Sequence, residues 1–563
     1  MKSSDLVLFR DICDAIEPTL YQTLQNPDDE FIQDVESGYK FNEYTANDVE
    51  YDFDNMEDKL DVTLRYYQRM ALYFTKYYFE KMYLINNNNN KLTYWMATGS
   101  GKTVIMKANI IDYFEYIRDK NPDEIEVIIT SPLKELIGQL QVEMSDFFAD
   151  EFFRDFKFSY KIQTTQGLIS RYENESHEIV GENQFRLLLV DEAHIGLGGK
   201  EKGAFVNIRN ELTKNIANSF MFEYSATFYD VKNKEQIQEY AKRIVYEYDY
   251  GKFYNDRYGK DFKFGVVKKD AIAEDEDKDI KRNLDTNLEA FHTKIEAFNT
   301  YNTKFSRNMF ADKPLLVMAG NTVSASKEKS ADNEENSDIS KIISYLANLD
   351  KNSLNKYVDI FNENRGVLHL LECSLYSGEI LLSFGEDAKP FGLITVGDTK
   401  KFLQNNNIQT LIAKGKIISK NLKFVNEDYL FKNIDYPSSP INILIGSRKF
   451  SAGWNSFRVS QICLINFGTG SGSTIVQMFG RGVRLKGLKN DGKRSEYRYI
   501  KEDENKNEFL PYSKENSLNQ TKYEKLKYLE TLFIYSLRST YLSKFVEEDT
   551  DIYKKSITFM IIF

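Results

Sequence analysis

The sequence predicts an α/β protein, with two parallel-sheet domains in tandem, insertions, and a helical C-terminal extension. Two observations carry this. Short continuous apolar runs at 126–130, 185–190 and 220–224 alternate with amphipathic segments, the pattern of strands covered on both faces of a parallel sheet. After a charged stretch, apolar runs return at 314–319, 441–445 and 462–467, which calls for a second unit of the same kind.

Taken in order, residues 1–60 are acidic and form a lead-in or cap to a first domain at 61–250. The asparagine run 86–90 reads as a surface loop ahead of a strand at 91–95. Residues 251–305 carry the run Glu274-Asp275-Glu276-Asp277-Lys278-Asp279 and read as a linker or an exposed helical region. The second domain spans 306–500, with an insertion at about 325–435 that begins in a polar loop and continues with mixed strand character. From 501 to 563 the chain is charged and reads as a helical extension, and its apolar end suggests truncation or a packed last strand.

Composition sets the limits. With 42% apolar residues among 563, the chain is globular and long enough for several cores. A net charge of −11 gives no whole-chain field toward nucleic acid, so any such contact needs a local basic surface. The three cysteines, Cys13, Cys373 and Cys463, lack ligand spacing and fit reduced core thiols, while four histidines exclude a histidine-rich metal site. No secretory signal is visible, and no apolar run approaches the ~20 residues of a membrane span. A soluble cytoplasmic protein is expected.

The densest chemistry lies in Met96-Ala97-Thr98-Gly99-Ser100-Gly101-Lys102-Thr103, between the strand at 91–95 and an amphipathic helix at 104–118. Strand, glycine-rich turn and helix is the setting of a phosphate-binding loop. Gly99 and Gly101 let the backbone of Thr98 to Lys102 pass close to a polyphosphate with its N–H groups inward. Lys102 would reach the β and γ phosphates of ATP, and the Thr103 hydroxyl would ligate Mg²⁺. Met96 stands where the loop pattern has glycine.

A second motif, Asp191-Glu192-Ala193-His194, follows the apolar run 185–190. At the carboxyl end of a strand in the same sheet, Asp191 can hold Mg²⁺ while Glu192 orients and deprotonates the attacking water.

With these in place, the chain resembles the superfamily 2 DEAD/DEAH-box helicases, whose fold is two RecA-like domains with ATP bound between them. Leu64-Arg65-Tyr66-Tyr67-Gln68 resembles the adenine-reading element, which implies Gln68 on the adenine edge and Tyr67 available to stack. Ser131-Pro132-Leu133 through Gln139 resembles motif Ia, and Thr164-Thr165-Gln166 resembles motif Ib, both implied to touch a nucleic-acid backbone. Ser225-Ala226-Thr227 matches motif III. The stretch 446–455, with Ala452-Gly453-Trp454, looks like motif V, with Asn455 where Asp is common, and makes Arg448 and Lys449 candidate phosphate contacts. Gln477-Met478-Phe479-Gly480-Arg481-Gly482-Val483-Arg484 resembles motif VI, in which Gln477 binds nucleotide and Arg481 and Arg484 neutralise charge on the transferred phosphoryl group. The glycine usual before the last arginine here directly follows Arg481. Gly468 to Thr474 imitates a second phosphate loop but has no lysine.

Within the superfamily the motifs look most like the helicase (Res) subunit of type III restriction endonucleases. That resemblance implies ATP-dependent DNA translocation or unwinding in phage defence, beside a modification methyltransferase and a nuclease domain or subunit. A nuclease site needs carboxylates and a lysine around a metal. Glu276-Asp277-Lys278 has the local spelling but sits in the charge run, and a nuclease in this chain is not expected. The alternatives that stay open are an RNA helicase and a nucleotide-gated scaffold without motor action.

Overall fold

The computed structural model describes residues 1–38, 49–83, 89–132, 134–172, 181, 183–193, 200–226, 228, 233–265, 276–304, 312–320, 338–373, 378–396, 398–423, 425–446, 456–465, 478–487, 491–494, 498–500, 509–511 and 526–537. The chain divides into two compact units, Met1–Phe253 and Tyr254–Phe563.

In the first unit the apolar runs become strands β1 (Lys91–Met96), β2 (Glu124–Ser131), β3 (Phe158–Thr164), β4 (Gln184–Asp191), β5 (Ser219–Ser225) and β6 (Ile244–Tyr248). They form one sheet in the order β3-β2-β4-β5-β1-β6. Every pair is parallel. β1 lies between β5 and β6 and is buried from Leu92 to Met96, which is why its residues need no polar face.

The helix Lys102–Arg118, which follows β1, is pinned to the sheet by polar contacts inside the core. Asn109 is fully buried; its amide donates to the Tyr224 hydroxyl at 2.8 Å and its carbonyl accepts from the Tyr94 hydroxyl at 3.0 Å. The Tyr94 and Tyr224 rings stack with centroids 5.2 Å apart. On β5, the fully buried Glu223 accepts from Arg209, from Thr93 at 3.1 Å and from Tyr240 at 3.2 Å, so its charge is paired and its oxygens are occupied. The N-terminal residues pack on this unit as helices, and Phe9 of Val7–Ile16 meets Phe74 and Tyr246 edge-on or tilted. Tyr51 reaches Asp112 on the helix Lys102–Arg118, its hydroxyl 3.1 Å from both carboxylate oxygens.

The second unit contains β7 (Asp261–Phe264), β8 (Leu315–Gly320), β9 (Leu368–Cys373), β10 (Glu379–Phe384), β11 (Gly392–Thr395), β12 (Ile417–Leu422), β13 (Ile443–Gly446), β14 (Val459–Ile465) and β17 (Thr531–Ser536). Their order is β12-β9-β10-β11-β13-β8-β14-β17-β7. Only the β9–β10 and β10–β11 pairs are antiparallel, so the stretch expected as an insertion extends a parallel sheet through a meander. A separate antiparallel pair joins β15 (Arg498–Ile500) and β16 (Phe509–Pro511).

Two expectations change here. The charged stretch 251–305 contains β7 and the helix Glu276–Lys304, whose Ile280, Leu284, Leu288, Phe291 and Ile295 lie in the core. Most of its charges occupy the outer face while apolar residues three and four apart face inward, so it packs into the unit. Lys294, fully buried on that helix, donates to the Tyr528 carbonyl at 2.9 Å. The second change is at 501–563, where the expected helical extension supplies β17 to the sheet between β14 and β7. The run Thr-Leu-Phe-Ile-Tyr-Ser is buried throughout, and sheet pairing overrides the polar neighbourhood that suggested helix. Cys13, Cys373 and Cys463 are free and buried. Among the described residues no helix is long and apolar enough to cross a membrane.

Burial pushes the Asp112 carboxyl up to about 7, against the lowering effect of the Tyr51 hydroxyl. A raised folded value means that the native state holds this proton where the unfolded chain has lost it. The resulting stability is full below the unfolded value of about 3.9 and is lost as the pH rises through 7. Asp112→Asn keeps an acceptor for Tyr51 without the charge. Unfolding midpoints at pH 5 and pH 8 should differ less for this variant than for the wild type.

Candidate functional site

Parallel pairing brings the carboxyl ends of all the strands in the first sheet to one edge. Trp95 is in register with Ser225, Tyr224 with Asp191, Val190 with Thr130, and Ser131 with Thr164. The loop after β1, the carboxylates after β4, the serine ending β5 and the hydroxyls ending β2 and β3 therefore share that edge. β4 is two strands from β1 in the sheet order, which at the usual spacing is about 10 Å, and β3 is four strands away, roughly 19 Å.

The loop itself is a tight turn. Ser100 donates to the Ala97 carbonyl through its backbone N–H at 3.2 Å and through its hydroxyl at 2.7 Å. Gly99 and Gly101 have φ of +87° and +84°, the left-handed region that a side chain resists. Gly101 is the N-cap of the helix Lys102–Arg118, and its carbonyl already accepts from Val104 N at 2.9 Å. The first N–H groups of that helix lack helical acceptors and face the loop with the positive end of the helix dipole. Lys102 and Thr103 stand half-buried at that end, with Lys102 Nζ 3.5 Å from the Met96 carbonyl. Thr98 is half-buried and Gly99 exposed.

Asp191 ends β4 and is half-buried, as is Glu192. Glu192 has φ +50°, an uncommon conformation for a non-glycine residue and one that costs about 1–3 kcal/mol. The strand end thus turns sharply at Glu192. An oxygen pair made of the Thr103 hydroxyl and the Asp191 carboxylate suits Mg²⁺, which takes few protein ligands and keeps several waters. Motif III is tied to the loop strand, since Trp95 Nε1 donates to the Ala226 carbonyl at 3.3 Å.

Tyr67 and Gln68, expected to meet the adenine, are buried at 0% and 5% exposure. The Tyr67 hydroxyl and Gln68 Nε2 each donate to the Ser100 carbonyl at 3.0 Å. The Tyr67 ring stacks on Tyr248 with centroids 3.9 Å apart and planes 13° from parallel. Tyr248 also accepts from Ala97 N at 2.8 Å through its carbonyl. Trp95 and Tyr248 were not among the sequence candidates. Nothing in a tyrosine at the end of a distant strand signals its place beside the loop.

Of the candidate nucleic-acid contacts, Thr164 is engaged in local capping, its hydroxyl accepting from Gly167 N at 3.0 Å. Thr165 is half-buried and Gln166 exposed at the start of the helix Thr165–Tyr172. Ser131 is buried, and its hydroxyl has no hydrogen-bond partner among the described residues.

In the second unit, Arg481 and Arg484 flank the end of a short helical segment, and Arg484 N donates to the Arg481 carbonyl at 3.3 Å. Burial, and then the charge of Arg481, pull the Arg484 guanidinium down to about 10. Its Nε has no hydrogen-bond partner among the described residues. The glycine following Arg481 has a packing reason, because a Cβ on Gly482 would come within 2.8 Å of Leu532 and 3.0 Å of Ile462. His194, Thr227, Arg448, Lys449 and Gln477 lie outside the described residues.

Comparison with known proteins agrees with the motif reading in the first unit. Residues 61–230 match the family model for the type III restriction enzyme, res subunit. The matched stretch spans β1 to β5 with the loop and both carboxylates. No curated protein matches the chain. Among solved structures, the chain is similar to Mss116p bound to ssRNA and AMP-PNP, with 11% identity and a TM-score of 0.40, over 90% of this chain and 78% of that one. It is similar to Dbp5 of S. cerevisiae bound to RNA and ADP BeF3, with 12% identity and a TM-score of 0.39, over 90% of this chain and 95% of that one. For the helicase Lhr of Mycobacterium smegmatis bound to ssDNA and AMP-PNP the values are 12% and 0.35, over 74% of this chain and 43% of that one.

Gly101 is required by its backbone conformation and by the approach of the Gln68 amide, which an added Cβ would strike. Left-handed strain of about 1–2 kcal/mol per residue corresponds to roughly 5- to 30-fold. Gly101→Ala should weaken binding of a fluorescent ATP analogue by at least that factor, with circular dichroism unchanged.

Proposed function

We propose that the chain is an ATP-driven nucleic-acid motor that acts on DNA, as the translocating part of a type III restriction-like phage-defence system. The observation that carries the reading is the shared carboxyl edge of the first sheet. It puts the Gly99–Thr103 loop and the Asp191–Glu192 pair about two strand spacings apart, inside the stretch that matches the restriction-subunit family.

In this reading the N–H groups of the loop and Lys102 hold the β and γ phosphates of ATP. Thr103 and Asp191 hold Mg²⁺, which supplies positive charge to the phosphate oxygens when bound. Glu192 accepts the proton of the attacking water. By the motif resemblance, Arg481 and Arg484 neutralise charge on the transferred phosphoryl group in this reading. Gln477 is a further nucleotide contact in this reading, while Arg448, Lys449 and Thr164 to Gln166 are backbone contacts to DNA. Thr164 to Gln166 lie on the first sheet's edge roughly 19 Å from the loop, far enough for a separate strand-binding surface. A modification methyltransferase and a nuclease domain or subunit are the partners that this reading implies, acting in the cytoplasm.

The test is steady-state ATP hydrolysis without nucleic acid and then with duplex DNA, single-stranded DNA and RNA, at two salt concentrations. Stimulation by DNA that weakens at high salt is expected, because backbone binding releases counterions. Stimulation by RNA alone moves the substrate to RNA, and indifference to all nucleic acids removes the motor reading in favour of a nucleotide-gated scaffold.

Lys102→Ala should abolish turnover with folding intact. Glu192→Gln should retain ATP binding but hydrolyse about 10²- to 10⁴-fold more slowly, the usual contribution of a general base. Normal hydrolysis by either variant, measured as phosphate release, would reassign its residue.

A further inference from the structure

We infer that Tyr67 and Gln68 are positioning residues for the phosphate loop, holding the Ser100–Gly101 peptide in its binding orientation. The inference rests on the proposed nucleotide site at Met96 to Thr103.

No described peptide bond is cis, so the Ser100 carbonyl and the Gly101 N–H point in opposite directions from one rigid plane. Two donors hold that carbonyl, the Tyr67 hydroxyl and Gln68 Nε2, each at 3.0 Å. Both come from the helix Tyr66–Tyr77, so the carbonyl is drawn toward that helix. The Gly101 N–H is thereby turned to the opposite side, where a phosphate oxygen can accept from it. This anchoring counts because glycine rotates freely about φ, and nothing in Gly101 itself prevents the peptide from flipping.

The donors are themselves fixed. Arg65 donates to the Tyr67 hydroxyl at 3.0 Å, which commits the hydroxyl's own hydrogen to Ser100. Gln68 Oε1 accepts from Arg65 N at 2.9 Å, which orients the amide with Nε2 toward the loop. The Tyr67 ring is stacked on Tyr248, whose carbonyl takes the Ala97 N–H at 2.8 Å. One residue at the end of β6 thus grips the loop at Ala97 directly and at Ser100 through Tyr67. Both side chains are buried, Tyr67 at 0% and Gln68 at 5% exposure, which keeps the two donors in place.

The experiment uses the full chain and two variants. Tyr67→Phe removes one donor and keeps the stacked ring. Gln68→Glu keeps an acceptor for Arg65 N and replaces the donor to Ser100 with an acceptor. A fluorescent ATP analogue is displaced by ATP and, separately, by tripolyphosphate, which carries phosphates without a base. Both competitors should weaken by the same factor, about 3- to 10-fold for Tyr67→Phe, and more for Gln68→Glu, with the melting temperature of Tyr67→Phe unchanged. Weakening of ATP alone, with tripolyphosphate unaffected, would mean that the pair reads the base and would overturn the inference. Unchanged displacement by both would overturn it as well. If Gln68→Glu does not fold, Tyr67→Phe decides alone. A wild type that fails to bind the analogue, or binds it equally well as Lys102→Ala, removes the nucleotide site itself and is recognised by that result.

Discussion

Every strand pair in the first sheet is parallel, and this one constraint arranges the rest of the unit. A chain that leaves every strand at the same edge must cross back outside the sheet, so both faces are covered and the strands become continuous apolar runs. The same edge collects every turn that follows a strand. Glycines after β1, carboxylates after β4 and hydroxyls after β2 and β3 therefore become neighbours in space although they are far apart in sequence. Order within the sheet then sets their separations, two strands from β1 to β4 and four to β3.

The turn after β1 has a stiff surround, supplied by buried polar contacts. Asn109 joins the helix after the loop to β1 and β5, and Glu223 with Arg209 ties β5 to the helix Lys200–Leu212. These groups are buried and bonded, so moving any of them leaves a polar atom unsatisfied at a cost of about 1–3 kcal/mol. In the second unit the balance is reversed around Arg484, where burial and a like charge oppose the guanidinium.

The tight turn after β1 was legible because its chemistry is local: two glycines between a strand and a helix determine it. Asp191 was legible for a similar reason, as the first charge after an apolar strand. What Tyr67 and Gln68 touch was not legible. Their partners within the unit are the Ser100 carbonyl, contributed by the next strand–turn unit, and the Tyr248 ring on an edge strand. The helix Glu276–Lys304 was misjudged because its charged outer face dominates the composition of the segment, while the inner row from Ile280 to Ile295 matters only when a sheet is there to receive it.

Taken alone, the sequence determined the α/β class, the glycine-rich turn after β1 and the carboxylates that end β4, since periodicity and glycine placement act over a few residues. Tertiary structure decided which strands are neighbours, that β17 enters the second sheet from a polar stretch, and where the hydrogen bonds of Tyr67 and Gln68 go. The reason is physical. Strand order and side-chain partnership are set by long-range burial and hydrogen-bond satisfaction, and no local run of residues contains that information.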